Sequence, residues 1–123
     1  LLLDSKLLKQ VFINLVQNSL AAMEEGGQIN ISTIMKNDTV LLCFADSGIG
    51  MDKETLNRIF EPYYTTKVTG TGLGLTMVYK IIKEFGGNID VKSEVGKGSI
   101  FTISLPIPQK ETRLLDDKTK SKE

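Results

Sequence analysis

The first long segment of the chain has apolar residues at the spacing of a helix. Asp4 or Ser5 can cap its start, and the pattern continues to about Glu24, where Gly26-Gly27 stops it. At 100° per residue the apolar positions cover well over half of the circumference, so we expect this helix to be deeply packed. These positions are Leu7, Leu8, Val11, Phe12, Ile13, Leu15, Val16, Leu20, Ala22 and Met23.

Four short segments have the composition and alternation of β-strands. They are residues 28–35, 39–45, 88–93 and 99–105. Polar residues at 36–38 and a glycine-rich turn at 94–98 join them into two hairpins. Strands that follow one another in hairpins argue against a βαβ dinucleotide-binding fold.

Two helices and a loop are predicted between the hairpins. Residues 52–58 suit a short helix that Asp52 can cap. Residues 59–71 show no period, which is typical of a loop that is functional or mobile. A second long helix follows over about 72–85, with one stripe formed by Leu75, Val78, Tyr79, Ile82 and Phe85. This order predicts an α+β fold, a two-layer α/β sandwich with helices on one face of a mostly antiparallel sheet.

Composition limits the possible functions. The chain has 123 residues, of which 41% are hydrophobic, so a single domain can bury a core without disulfides or a structural metal. Fifteen basic and fifteen acidic residues balance, so no net field attracts nucleic acid or an anionic membrane. There is no histidine, which excludes histidine-based chemistry and phosphohistidine formation within this chain.

The ends of the chain and its single cysteine indicate the bounds of the domain and the cellular compartment. We expect residues 1–108 to form the domain and the charged residues 109–123 to be a disordered tail. The chain begins in mid-pattern without methionine, so we expect it to be a piece of a longer protein. Cys43 lies in an apolar run without an intramolecular partner, which fits a reducing compartment and a cytoplasmic location, whether or not the parent protein is anchored in a membrane.

Asp46 ends an apolar segment and is followed at once by Ser-Gly-Ile-Gly. This residue is either a plain turn residue or a buried acceptor that faces a pocket, and the pattern leaves both open. A buried carboxylate needs hydrogen-bond donors, and the exocyclic amine of adenine is one. Gly48 and Gly50 would then let the backbone approach the base without a Cβ atom in the way.

A second glycine cluster, Gly70-Thr-Gly-Leu-Gly-Leu75, stands at the entry of the second long helix. Free backbone N–H groups at a helix N-terminus suit phosphate oxygens. The cluster does not follow a strand and contains no Gly-Lys-Ser/Thr, so it matches neither a dinucleotide fingerprint nor a P-loop. A glycine-rich hinge without a ligand is the alternative.

Three polar residues could complete a nucleotide site. Asn14 and Asn18 are four positions apart, at the edge of the apolar face of the first helix. Amide oxygen is a reasonable ligand for Mg²⁺. Lys67 is near the second glycine cluster in sequence and could contact a γ-phosphate. Surface asparagines and a solvated lysine are the ordinary alternatives.

Five motifs in a fixed order make a more specific pattern than any one of them. They are Asn14-Leu-Val-Gln-Asn18, Asp46-Ser-Gly-Ile-Gly50, Phe60-Glu-Pro-Tyr-Tyr64, Gly70-Thr-Gly-Leu-Gly-Leu75 and Gly96-Lys-Gly-Ser99. From about Asp4 to Pro106 the chain resembles, in this order, the N, G1, F, G2 and G3 boxes of the catalytic, ATP-binding domain of two-component sensor histidine kinases. The resemblance extends to gyrase B, MutL and the heat-shock ATPase chaperones, and it implies a Bergerat-type ATP-binding fold with an ATP lid.

The resemblance implies a role for each matching residue. Asn18 would be the Mg²⁺ ligand, with Asn14 assisting near the phosphates, and Asp46 would anchor adenine. Ser99 would support the adenine carboxylate, directly or through water, and Phe60 would seat the lid. The remaining nucleotide contacts would come from Gly48, Ile49, Gly50, Met51, Tyr64, Lys67, Gly70, Thr71, Gly72, Leu73, Gly74 and Leu75. The catalytic set would be Asn14, Asn18 and Lys67.

Two departures from the family pattern sharpen the implied function. ATPases of the wider group carry a water-activating glutamate where this chain has Asn14, so transfer to a protein acceptor is favoured over hydrolysis. Many histidine kinases carry a basic residue where this chain has Ala21, so more of the phosphate charge would fall to Lys67 and Mg²⁺. The implied reaction is transfer of the γ-phosphoryl group of Mg-ATP to a histidine on a separate dimerisation domain of the same parent kinase.

Two alternatives stay open at this point. One is a serine kinase of the anti-sigma-factor type, which shares these boxes, and the other is a nucleotide-sensing or docking module without transfer activity. For the histidine kinase we expect a response regulator as an indirect partner, no nucleic-acid partner, and a monomeric isolated domain.

Overall fold

The computed structural model describes residues 4–62 and 74–106 of the chain. The elements are α1 Ser5–Ala21, β1 Ile29–Lys36, β2 Thr39–Asp46, α2 Lys53–Arg58, α3 Gly74–Glu84, β3 Asn88–Glu94 and β4 Gly98–Pro106. The four strands form one antiparallel sheet in the order β1-β2-β4-β3. The α+β prediction is confirmed, and the predicted tail at 109–123 lies outside the described residues.

The core lies between the helices and one face of the sheet. Phe44 is directly opposite Phe101 in the β2–β4 register, and Leu42 is opposite Ile103, so these buried side chains share a face. Phe12 of α1 packs edge-on against Phe44, with ring centroids 5.0 Å apart. A one-residue slip of register would turn this whole set outward, so burial fixes the pairing.

Helix α1 is shorter and less deeply packed than the pattern predicts. It ends at Ala21, three residues before Glu24. Isolated turns follow up to Gly26, closed by backbone hydrogen bonds between residues three positions apart. Ile13 and Leu20 are 45% and 57% exposed, so the expectation that the whole apolar arc is buried is wrong. Only one side of α1 contacts α3 and the sheet, and the arc is wider than the surface those neighbours offer.

Helix α3 differs from its predicted stripe at one position. Val78, Ile82 and Phe85 are buried as predicted, whereas Tyr79 is 40% exposed and Ile81 is buried. Residues 78, 81, 82 and 85 follow the i, i+3, i+4, i+7 spacing of a single face, and Tyr79 lies at its edge. Its ring contacts Phe60, with 5.2 Å between the ring centroids.

The turns follow the sequence signals closely. Asn37 adopts a left-handed backbone (φ 55°) in the turn between β1 and β2, which asparagine tolerates better than most residues. Asp52 caps α2, and its carboxylate accepts a hydrogen bond from the Thr55 backbone N–H at 2.8 Å. Among the described residues, no helix combines the length and the apolar character needed to cross a membrane.

Candidate functional site

Asp46 is the buried polar residue at the end of β2, with 8% of its surface exposed. One carboxylate oxygen, Oδ2, accepts a hydrogen bond from the Ser19 hydroxyl at 2.9 Å. The other, Oδ1, accepts one from the Gly48 backbone N–H, also at 2.9 Å. Asp46 is therefore a buried acceptor rather than a plain turn residue, and adenine as its ligand stays a prediction.

The loop after Asp46 is fitted tightly between α1 and the β3–β4 turn. The Ile49 N–H donates to the Ala22 carbonyl at 3.0 Å, and a Cβ atom on Gly48 would lie 2.7 Å from that same carbonyl oxygen. Gly50 has φ +73°, and a Cβ atom there would collide with the Glu94 carbonyl. Both glycines are thus required by close protein neighbours, and their role of clearing space for a base stays a prediction.

The two apolar residues of this loop have different surroundings. Ile49 is 69% exposed at the surface of the loop, whereas Met51 packs against the core. The backbone N–H of Met51 donates to the Ser93 hydroxyl oxygen at 2.8 Å, and the Gly96 N–H donates to the Ile49 carbonyl at 2.8 Å. The loop is thus bonded to the β3–β4 hairpin at two points.

Ser99 lies opposite Asp46 in the β2–β4 register and is buried. Its hydroxyl is 2.8 Å from the Ser93 hydroxyl, whose own proton is donated to the Gly98 carbonyl at 2.9 Å. Ser99 is therefore the donor in the Ser93–Ser99 pair. The Ser99 hydroxyl therefore does not donate directly to Asp46, because its proton is directed to Ser93. Support of Asp46 by Ser99 through water stays a prediction.

Asn14 and Asn18 are half-buried on the same side of α1, and Asn14 faces the start of α3. The Asn14 side-chain N–H₂ group donates to Met77 Sδ at 3.8 Å. A Cβ atom on Gly74 would lie 3.5 Å from Asn14 Oδ1, so the amide oxygen faces the first residue of α3. The fold thus brings Asn14 of the first sequence motif next to Gly74 of the fourth.

Phe60 is fixed on α3 by its backbone and its ring. Its carbonyl accepts a hydrogen bond from the Thr76 hydroxyl at 3.1 Å, and its ring contacts Tyr79. The Leu75 side chain packs against the core. Six predicted contacts lie outside the described residues and stay predictions: Tyr64, Lys67, Gly70, Thr71, Gly72 and Leu73.

Comparison with known proteins identifies the family. Residues 3–109 match the model of the histidine kinase-, DNA gyrase B-, and HSP90-like ATPases. The chain belongs to this family. Sporulation kinase E of Bacillus subtilis (strain 168) is 50% identical over 103 residues, which are 83% of this chain and 14% of that protein. The chain thus spans a small part of this curated relative.

Solved structures of the family have the same fold. The nucleotide-free catalytic domain of histidine kinase ThkA is 38% identical and superposes with a TM-score of 0.75, covering 84% of this chain and 68% of that one. Full-length ShkA in complex with AMPPNP is 29% identical with a TM-score of 0.72, covering 81% of this chain and 21% of that one. The two-layer sandwich is therefore the family's fold, and family membership implies ATP binding.

The candidate site has no dedicated set of metal ligands among the described residues. Among residues 4–62 and 74–106 there is no cluster of three His, Cys, Asp or Glu side chains that could hold a metal ion. Mg²⁺ commonly takes one or two protein oxygens and completes its shell with phosphates and waters. A half-buried amide such as Asn18 suits that arrangement.

Sequence reasoning missed four residues that contact the predicted site residues: Ser19, Thr76, Met77 and Ser93. For Ser19 a signal was available. It follows Val11 and Leu15 at four-residue spacing, so it stands on the buried stripe of α1, where a hydroxyl needs a partner. Thr76, Met77 and Ser93 act through contacts that are distant in sequence, and their local patterns carry no such signal.

Proposed function

We propose that the chain is the ATP-binding catalytic domain of a sensor histidine kinase. In this proposal it donates the γ-phosphoryl group of Mg-ATP to a histidine on a separate dimerisation domain of the parent protein. The observation that carries the proposal is Asp46, a buried carboxylate held by the Gly48 backbone N–H and by Ser19 of α1, the helix that also carries Asn14 and Asn18.

The base-binding half of the proposal rests on hydrogen-bond complementarity. An ionised carboxylate is an acceptor only, with about four lone-pair positions over its two oxygens. The described partners of Asp46 use two of these positions, which leaves acceptor capacity for the 6-amino group of adenine. A buried acceptor of this kind discriminates against ligands that present another acceptor.

The phosphate half of the proposal rests on α1 and α3. Asn18 would hold Mg²⁺ through its amide oxygen, and Asn14 would lie beside the phosphates at the start of α3. When bound, Mg²⁺ would neutralise charge on the β- and γ-phosphates. Lys67 and residues 70–75 would complete the phosphate contacts. AMPPNP, an ATP analogue, is the ligand of the related ShkA structure, which supports a nucleotide of this class.

The acceptor lies outside this chain, which contains no histidine. In the proposed step an imidazole nitrogen bonds to the γ-phosphorus while the bond from that phosphorus to the β–γ bridging oxygen breaks, and ADP leaves. Phosphoryl transfer of this kind requires mainly positioning and charge neutralisation from the enzyme. Asn14 cannot activate water as a glutamate would, which favours transfer over hydrolysis. A response regulator would then be the downstream partner.

The experiment is transfer in trans. The 123-residue chain is incubated with γ-labelled Mg-ATP and a separate histidine-bearing dimerisation domain, with a His→Ala version of that domain as the control. We expect label on the acceptor that is lost in acid, as phosphohistidine is, and no label on the His→Ala domain. Acid-stable label on serine would instead support the serine-kinase alternative. ATP binding without any transfer would support the docking-module alternative.

A further inference from the structure

The one hydroxyl that contacts Asp46 among the described residues comes from α1. Ser19 is 2% exposed, and its Oγ donates to Asp46 Oδ2 at 2.9 Å across 27 positions of sequence. Val11 and Leu15, which precede it on the same stripe, pack in the core. The hydroxyl is therefore a buried polar group on an apolar stripe, and leaving it without a hydrogen-bond partner would be unfavourable.

The two partners of Asp46 each bond to a different carboxylate oxygen. Gly48 is in the loop that follows Asp46, so its bond to Oδ1 is local and would turn with the loop. Ser19 is on a seventeen-residue helix, so its bond to Oδ2 ties the side chain to a separate rigid element. With both bonds in place, the carboxylate plane and the direction of its remaining lone pairs are fixed before a ligand arrives.

We propose that Ser19 is a positioning residue for base recognition, which holds Asp46 in the orientation that accepts a hydrogen bond from the 6-amino group of adenine. This inference rests on the proposed function, because it assumes that Asp46 binds the base. Ser19 acts through Asp46 and does not need to contact the nucleotide. It therefore affects the part of the affinity that comes from the 6-amino group and leaves phosphate binding intact.

The test compares two nucleotides that differ only at that group. ATP and purine riboside triphosphate, which carries hydrogen in place of the 6-amino group, are titrated into the 123-residue chain by calorimetry. The variants are Ser19→Ala, Ser19→Cys, which nearly preserves the volume but donates weakly, and Ser32→Ala as a matched control. Ser32 is exposed on the outer face of β1. Thermal unfolding of each variant checks that it is folded.

The expected result is a change in selectivity rather than a uniform loss of affinity. Wild type and Ser32→Ala should bind ATP at least about tenfold more tightly than purine riboside triphosphate. In Ser19→Ala and Ser19→Cys this ratio should fall by about three- to tenfold, through weaker ATP binding, while the Kd of purine riboside triphosphate changes less than about twofold. A variant that loses affinity for both nucleotides equally would show a purely structural role for Ser19 and would overturn the inference.

The wild-type ratio separates the two proposals. If wild type does not distinguish the nucleotides, the assignment of adenine to Asp46 is wrong, and the role of Ser19 is rejected with it. If wild type distinguishes them and both Ser19 variants do so equally well, Ser19 has no positioning role, and the adenine assignment stands.

Discussion

The two halves of the proposed nucleotide site are built differently. Around Asp46 the described polar groups are bonded to the protein, through Ser19 and Gly48 at the carboxylate and through Ser93 at the end of the loop. Around Asn14 and Asn18 the side chains are only half-buried, and Asn14 has a long contact to a thioether sulfur. Under the proposed function, the base half would be preformed by buried hydrogen bonds, whereas the half-buried amides of α1 would bind the phosphate half of the ligand together with its metal.

The largest effect should come from the base half, through Asp46→Asn. The amide keeps the shape but loses the charge, and its single oxygen must also accept the hydrogen bond from the Gly48 N–H, so the bond to the 6-amino group is weakened or lost. We expect ATP affinity to fall by about 100-fold, since a hydrogen bond to a charged group contributes about 1.5–3 kcal/mol. Calorimetric titration with Mg-ATP measures this. Asp90→Asn, on the exposed outer face of β3, is the matched control and should bind normally.

The next largest effect is expected on stability, from the tight packing of the loop after Asp46 against the β3–β4 turn. Gly50 and Gly96 both have positive φ, but only at Gly50 would a Cβ atom collide with the Glu94 carbonyl, and at Gly96 it would meet nothing within 4 Å. Both alanine variants carry the backbone strain, so their difference isolates the collision. We expect Gly50→Ala to lower the free energy of unfolding by about 2 kcal/mol more than Gly96→Ala, by urea denaturation. Equal values would mean that the loop has room to relax.

A smaller effect should mark the phosphate half. Asn18→Ala removes the proposed metal ligand, so Mg-ATP should bind about tenfold more weakly while ATP in EDTA binds nearly as before. Calorimetry with and without Mg²⁺ provides the comparison. Asn30→Ala, exposed on β1, is the control for removal of an asparagine. An equal loss with and without the metal would contradict the ligand role of Asn18.

The smallest effect is expected at Asp52, which caps α2 just after the loop that follows Asp46. Hydrogen bonds from the Thr55 backbone and side chain lower the pKa of Asp52. A lowered folded-state pKa adds stability above the unfolded-state pKa, and that stability is lost as the pH falls through the folded-state pKa. Wild type should therefore lose its advantage over Asp52→Asn in acid. Thermal unfolding midpoints measured from neutral to acidic pH test this, and a difference independent of pH would contradict it.

Most of the fold could be predicted because its signals are local. Alternation in the strands, the Asn37 turn and the Asp52 cap each depend on neighbouring residues. The exposure of Ile13 and Leu20 could not be predicted, because periodicity gives the width of an apolar face and not the number of elements that cover it. For the same reason the sequence pattern did not predict that Ile81, rather than Tyr79, lies on the buried face of α3.

The residues of the candidate site that belong to a sequence motif could be predicted. Residues that reach the site through contacts distant in sequence were harder to predict. Asp46 stood out because it ends an apolar strand before a glycine loop. Its partner Ser19 on α1 is 27 positions away in sequence. The only signal for it was that Ser19 follows Leu15 by four residues and so lies on the buried face of α1. The family resemblance pointed to Ser99 for this support, whereas the Ser99 hydroxyl bonds to Ser93.

The most direct test of the account is whether the unmodified chain selects adenine. Mg-ATP and Mg-GTP are titrated separately into the 123-residue chain by calorimetry. GTP presents a carbonyl oxygen at the position of the 6-amino group, and two acceptors would then face each other at Asp46. The account predicts that ATP binds at least about tenfold more tightly than GTP. Equal affinities, or tighter binding of GTP, would contradict it.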